Sequence, residues 1–164
     1  MMFRRAARVI LLDAADRVLM VRGHDHDLPS RSWWFTVGGG LDAGETSRAA
    51  AVREVREETG LVLGGDALVG PVFTRAAIFD FAAQHCRQDE DLFMARVDAH
   101  APLTRAGWTA LEGDLLDEMR WFDLDELARV ELEVFPVGLV GLVRSLLTGW
   151  DGVTRHLDET GATG

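Results

Sequence analysis

Gly39-Gly40-Leu41-Asp42-Ala43-Gly44-Glu45-Thr46-Ser47-Arg48-Ala49-Ala50-Ala51-Val52-Arg53-Glu54-Val55-Arg56-Glu57-Glu58-Thr59-Gly60-Leu61 is the most informative stretch of the chain. From Ser47 to Thr59 it is dense in Ala, Arg and Glu and free of Gly and Pro, which predicts a helix. Thr46 or Ser47 can cap its start, and Gly60 stands where a terminating glycine belongs. At about 100° per residue, Glu54, Glu57 and Glu58 fall within an arc of about 100°. Val52 and Val55 are expected to point the other way, toward a core, and Ala49, Ala50 and Ala51 let the helix approach a sheet closely. Carboxylates crowded on one face repel by about 0.2–0.5 kcal/mol per neighbouring pair. A divalent cation with a taste for oxygen, Mg²⁺ or Mn²⁺, removes that repulsion. A solvated acidic face partnered by Arg53 and Arg56 is the plainer alternative.

Two features upstream favour the cation. The run Gly38-Gly39-Gly40 exposes peptide groups and lets backbone come close to a ligand, so a carbonyl there can supply one more metal oxygen. Glu45 precedes Arg53 by eight residues, a spacing suited to an ion pair tying loop to helix.

Working outward, Arg8 to Leu12 and Val18 to Arg22 are expected as a strand hairpin about Asp13-Ala14-Ala15-Asp16. A loop follows over Gly23 to Ser32, then a short strand from Trp33 to Val37, broken by the glycines. Further strands are expected at Ala67 to Arg75, Ile78 to Phe81, Leu92 to Val97 and Glu118 to Phe122. Asp123 to Arg129 is expected as a short helix capped by Asp123, and Val134 to Leu147 as a longer one. Hairpins mixed with three helical segments predict an α/β fold, a mixed sheet packed between helices as an α/β/α sandwich. One domain over residues 1–148 and a frayed tail over 149–164 complete the expected organisation.

Composition sets outer bounds. The 164 residues are 48% hydrophobic, enough for a core without disulfide or structural metal. Seventeen basic residues face 27 acidic ones for a net charge of −10, which argues against a nucleic-acid polymer or an anionic membrane as partner. Every basic side chain apart from histidine is Arg, and Lys, Asn and Tyr are absent. All three use A/T-rich codons, so this is a genomic signature. No apolar run is long enough to span a bilayer or form a signal core. With the single Cys86, this leads us to expect a cytoplasmic protein.

The stretch from Gly39 to Leu61 resembles the Nudix box, G-x5-E-x7-R-E-U-x-E-E-x-G-U with U a bulky aliphatic. Gly39, Glu45, Arg53, Glu54, Val55, Glu57, Glu58, Gly60 and Leu61 fill every specified position. The family fold is an α/β/α sandwich. The resemblance implies hydrolysis of a diphosphate joining a nucleoside to another moiety, most simply a nucleoside triphosphate, with Mg²⁺ and with Mn²⁺ as substitute. It implies Glu54, Glu57 and Glu58 as metal-binding and catalytic carboxylates, the Gly38 carbonyl as a further ligand, and Gly39, Glu45 and Arg53 as the brace. Glu54 or a carboxylate outside the box would be the general base. Glu90, in an acidic stretch expected on a loop (Gln88 to Asp91), is the outside candidate.

The proline that many members carry before the two glycines is Val37 here. Trp33, Trp34 and Phe35 alternate across a strand, so one or two can face the cleft and stack on a base, with Trp34 the candidate and core packing the plainer reading for any one of them; Arg22, Arg31 and Arg75 are candidate phosphate clamps. His24 and His26 are expected to be solvated. The implied partner is a small nucleotide or other diphosphate, and a homodimer is compatible with all of this. Two alternatives are a catalytically silent nucleotide-sensing module and an isomerase of isoprenoid diphosphates. The latter needs further Cys and Glu motifs, whereas Cys86 is expected in a loop.

Overall fold

The structure is a computed structural model that describes residues 1–81 and 84–157. One mixed sheet of eight strands organises it: β1 (Met2–Leu12), β2 (Val18–His24), β3 (Ser32–Gly40), β4 (Val69–Phe81), β5 (Gln84–Arg96), β6 (Leu116–Phe122), β7 (Glu133–Phe135) and β8 (Arg155–Leu157). The order is β6-β2-β3-β1-β5-β4-β8, with β7 beside β3. Four helices accompany it: α1 (Ser47–Thr59), α2 (Ala110–Leu115), α3 (Leu124–Leu127) and α4 (Leu139–Leu146).

Period-two alternation divides the interior into two cores. Val9, Leu11, Leu19, Val21 and Phe93 pack with Ala50, Ala51 and Val55 of α1. Ile10, Leu12, Met20, Trp34 and Leu92 pack with residues of α3 and α4. The sheet therefore lies between α1 and α3–α4, the expected sandwich. Burying one large side chain such as Phe93 or Phe122 is worth about 1.5–3 kcal/mol.

Helix α1 has the bounds its composition predicts. Thr46 Oγ1 accepts the Ala49 N–H, and Gly60, at φ 82°, closes the last turn by donating to the Arg56 carbonyl. Its orientation departs from expectation: Glu54 and Glu58 share the buried face with Ala51 and Val55, and Val52 is only half-buried. The helix crosses the Gly38–Gly40 end of the sheet, so Glu54 and Glu58 point into protein.

Other expectations need correction. The β1–β2 hairpin pairs only at Leu12↔Val18, because β3 inserts between the two strands. The three glycines do not break β3 but extend it, pairing with Ala6, Ala7 and Arg8. The two strands expected over 67–81 are one, β4. Strand β5 begins at Gln84, so Cys86 and the stretch from Gln88 to Asp91 lie in a strand and not in loops. Parallel pairing with β1 sustains it there, matching Met2↔Cys86 through Leu12↔Arg96. Asp123 precedes α3 without a side-chain capping bond. Val134 does not start a helix, because β3 captures Glu133–Phe135 as a parallel strand and α4 begins only at Leu139. Within the segment expected to fray, Arg155–Leu157 pairs with β4, and residues 158–164 lie outside the described residues.

Candidate active site

The site is built where α1 passes over the glycine end of β3. A Cβ on Gly39 would lie 2.6–2.7 Å from the carboxyl atoms of Glu54, so only glycine admits that side chain over the strand. The Gly38 N–H donates to the Glu58 carboxylate, and the Gly38 carbonyl accepts from Arg8 Nη1 at 3.1 Å.

Arg53 ties loop, strand and helix together. It grips Glu45 in a two-pronged pair at 2.8 Å and 2.8 Å, donates to the Gly40 carbonyl at 2.9 Å, and reaches Glu54 at 2.9 Å and Glu57 at 3.0 Å. This holds the Glu45 carboxyl down at about 2, through the Arg53 hydrogen bonds first and the Asp42 N–H second. It also pushes the Arg53 guanidinium up.

Glu54 and Glu58 are shifted the other way. Burial raises the Glu54 carboxyl, only partly offset by Arg53. Glu58 is 2% exposed, and burial lifts it well above the usual range despite the charge of Arg8. Its Oε1 is buried with no hydrogen-bond partner among the described residues. Glu57 differs: its side chain is 42% exposed and rests on Arg53. Of the three expected glutamates, the structure thus brings two together and turns the third outward.

A third carboxylate comes from elsewhere. Ligand oxygens of Glu54, Glu58 and Glu112 lie within 4.8 Å of one another. Glu112 sits on α2 in the connection from β5 to β6, which straps across the end of α1. Trp108 Nε1 donates to the Glu58 carbonyl at 2.7 Å, and the Thr104 N–H to the Thr59 carbonyl at 2.8 Å. Gly107 lies so close to Glu57 that a Cβ there would be 2.5 Å from its carbonyl oxygen. A capping box orients Glu112, whose Oε1 accepts the Thr109 N–H at 3.1 Å while Thr109 Oγ1 accepts the Glu112 N–H. Sequence reasoning missed Glu112. The one local signal was Thr109-x-x-Glu112, which marks a helix start and not its spatial neighbours.

The remaining expected residues lie around this centre. Glu90 is 3% exposed on β5 and takes hydrogen bonds from Arg8 (3.1 Å), Arg75 (2.9 Å) and Gln88 (2.5 Å). Burial pushes its carboxyl up, but Arg8 and Arg75 outweigh burial and leave it lowered. Arg75 is therefore engaged with Glu90. Arg22 pairs with Glu118 at 3.0 Å and Asp117 at 3.6 Å, and Arg31 with Glu133 at 3.7 Å. Trp34, the candidate for stacking on a base, takes the plainer role and packs edge-on against Phe122 in the core beside α4, ring centres 4.8 Å apart. Strand alternation instead leaves its neighbour Trp33 half-buried beneath Arg31. His24 pairs with Asp117 at 3.0 Å, and His26, exposed, with Asp27.

Three clustered carboxylates, with one buried oxygen unpartnered, are a donor set for a hard divalent cation: oxygen ligands, excess negative charge and an unsatisfied acceptor. Comparison with known proteins points the same way. A family model for the NUDIX domain matches residues 2–139. An RNA pyrophosphohydrolase of Dinoroseobacter shibae is 39% identical over 61 residues, 37% of this chain and 36% of that protein. A putative 8-oxo-dGTP diphosphatase of Bacillus subtilis is 38% identical over 69 residues, 42% and 43% of the two chains. The matched region spans about two fifths of the length of these curated relatives. Among solved structures, the MutT protein of Bacillus halodurans superposes with a TM-score of 0.58 at 18% identity, covering 86% of this chain and 80% of that one, a likeness of fold.

Proposed function

The chain belongs to the NUDIX domain family, and from that premise we propose that it hydrolyses the diphosphate bond of a nucleoside diphosphate joined to another moiety, most simply a nucleoside triphosphate. The observation that carries this reading is the cluster of Glu54, Glu58 and Glu112 with the buried, unpartnered Oε1 of Glu58. These three residues, with the Gly38 carbonyl and Glu57 as additional oxygens, would hold Mg²⁺, or Mn²⁺ in its place. Held there, such a cation would supply Lewis-acid polarisation of the phosphate, a more acidic water and charge stabilisation for the leaving oxygen.

The chain's own residues divide the rest. Water adds to phosphorus, the anhydride P–O bond breaks, and the proton lost by the water must be taken up. Glu54 is the better base: burial raises its carboxyl, whereas Glu90 is lowered and already accepts hydrogen bonds from three side chains. Glu45 and Arg53 hold the helix against the glycine strand. The work belongs to one domain, the expected 1–148 with β8 added to its sheet, acting on a small molecule. No described helix is long and apolar enough to cross a membrane. Cys86 is buried with its thiol pushed up by burial, which suits an enzyme of the reducing cytoplasm.

The test is incubation with Mg²⁺ or Mn²⁺ and a panel of nucleoside triphosphates, nucleotide sugars, ADP-ribose and dinucleoside polyphosphates. Phosphate is read after adding pyrophosphatase or phosphatase. Turnover that EDTA abolishes and Glu58→Gln lowers at least a hundredfold is expected. Saturable nucleotide binding without turnover anywhere in the panel would replace this reading with a sensing module.

A further inference from the structure

The largest group of buried charge left unused by this reaction lies beside it, where β1, β4 and β5 run together. Glu90 anchors it, with Arg8, Arg75 and Gln88 all donating to its carboxylate. A cation present only to neutralise a buried acid turns its donors onto that acid. Arg8 does not. Its Nε takes Glu90, and its Nη1 is divided between the carbonyls of Thr36 at 3.3 Å and Gly38 at 3.1 Å. A guanidinium has five N–H donors. That leaves the two on Nη2, which have no hydrogen-bond partner among the described residues. The side chain is 18% exposed, so it is clamped by these contacts without being sealed from solvent.

Its position is informative too. Gly38 links the two clusters, because its N–H holds Glu58 and its carbonyl holds Arg8. A cation with spare donors therefore borders the carboxylates that gather metal. Two arginines against Glu90 leave this side of the site with surplus positive charge, opposite in sign to the glutamate side. A guanidinium fixed at Nε presents its remaining N–H groups in one plane, the geometry that suits a phosphate oxyanion.

We propose that Arg8 is a substrate-binding residue whose Nη2 edge contacts a non-bridging phosphate oxygen of the diphosphate, and that Glu90 is its positioning residue. This rests on the diphosphate-hydrolase reading. It makes the phosphates, and not the attached moiety, the group Arg8 recognises, so its loss weakens every diphosphate substrate alike.

The test compares the parent with Glu90→Gln and with the double variant Arg8→Gln/Glu90→Gln, which removes the charges together so that no buried acid is stranded. Three quantities are read: KM and kcat on the best panel substrates, inhibition by inorganic pyrophosphate, and titration with Mn²⁺ alone. Melting temperature serves as the fold control. The double variant is expected to melt near the parent and bind Mn²⁺ within about twofold, yet show KM and pyrophosphate Ki raised at least tenfold on two substrates with different attached groups. Glu90→Gln is expected to raise KM several-fold while kcat stays within about twofold. An unchanged KM and Ki in the double variant would make Arg8 a structural counterion and overturn the assignment, leaving the hydrolase reading intact. A thousandfold loss of kcat in Glu90→Gln at unchanged KM would make Glu90 the base and likewise overturn it. A parent that turns over nothing in the panel fails the hydrolase reading itself, and this assignment falls with it.

Discussion

Gly39 shows how much of the site is settled by a single missing methyl group. Its absent Cβ is the space that the Glu54 carboxylate occupies, and Arg53 prevents that carboxylate from swinging aside. Gly39→Ala should therefore displace Glu54 while sparing the fold. A misplacement of roughly 1 Å is worth about a hundredfold in rate. We expect kcat to fall ten- to a hundredfold with a melting temperature within a few degrees of the parent; equal losses of both would make Gly39 a folding residue instead. Glu45 offers a pH experiment at the same scale. Its carboxyl is depressed to about 2 by Arg53, so the stability it contributes is present above the unfolded value near 4.5 and is lost as pH falls through about 2. Denaturation midpoints of the parent and of Glu45→Gln should be separated by a constant gap from pH 7 to pH 5. That gap should then narrow steadily from pH 4.5 downward. A gap that widens on acidification would mean that Arg53 stabilises by some other contact.

Between residues and the whole lie the elements, and they differ in how legible they were. The bounds of α1 could be read because composition, the Thr46 cap and Gly60 all act locally and agree. Its orientation could not, since helical spacing shows which residues share a face but not which face a neighbour covers. The short strands β7 and β8 were hidden for a related reason. Glu133–Phe135 and Arg155–Leu157 become strands only because β3 and β4 offer them an edge, and in the former case helical spacing nearby argued for something else. The strap from β5 to β6 is the most consequential omission, because it delivers Glu112. Trp108 is its fastener, so Trp108→Phe should keep the packed ring and lose only the bond to the Glu58 carbonyl, at a cost of about 1 kcal/mol. Faster amide exchange across residues 104–115 and several-fold weaker Mn²⁺ binding are expected. Exchange and affinity both unchanged would show that the backbone contacts of Thr104 and Gly107 hold the strap unaided.

At the scale of the molecule, part of the −10 net charge is a standing liability in the metal-free protein. Glu54 and Glu58 have raised carboxyls because burial disfavours their charged forms. The sign of the consequence follows from linkage. The stability these groups permit is whole below the unfolded value near 4.5 and is lost as pH rises through their raised folded values. In EDTA the melting temperature should therefore decline as pH is raised above about 4.5. A bound cation reverses this, since a ligand specific to the folded state adds about 2.7 kcal/mol at a hundred times its Kd. The increment from Mg²⁺ should accordingly grow as pH rises through the raised values of these carboxyls, because the ionised forms are the ones a cation takes. Glu58→Gln separates stability from function, because it removes a buried carboxylate whose Oε1 has no hydrogen-bond partner among the described residues. In EDTA at alkaline pH the variant is expected to be more stable than the parent. It should also gain almost nothing from Mg²⁺ and be inactive. Were it instead less stable than the parent in EDTA, the Glu58 carboxylate would be a structural group satisfied by the Gly38 N–H, and the charge would have no need of a metal.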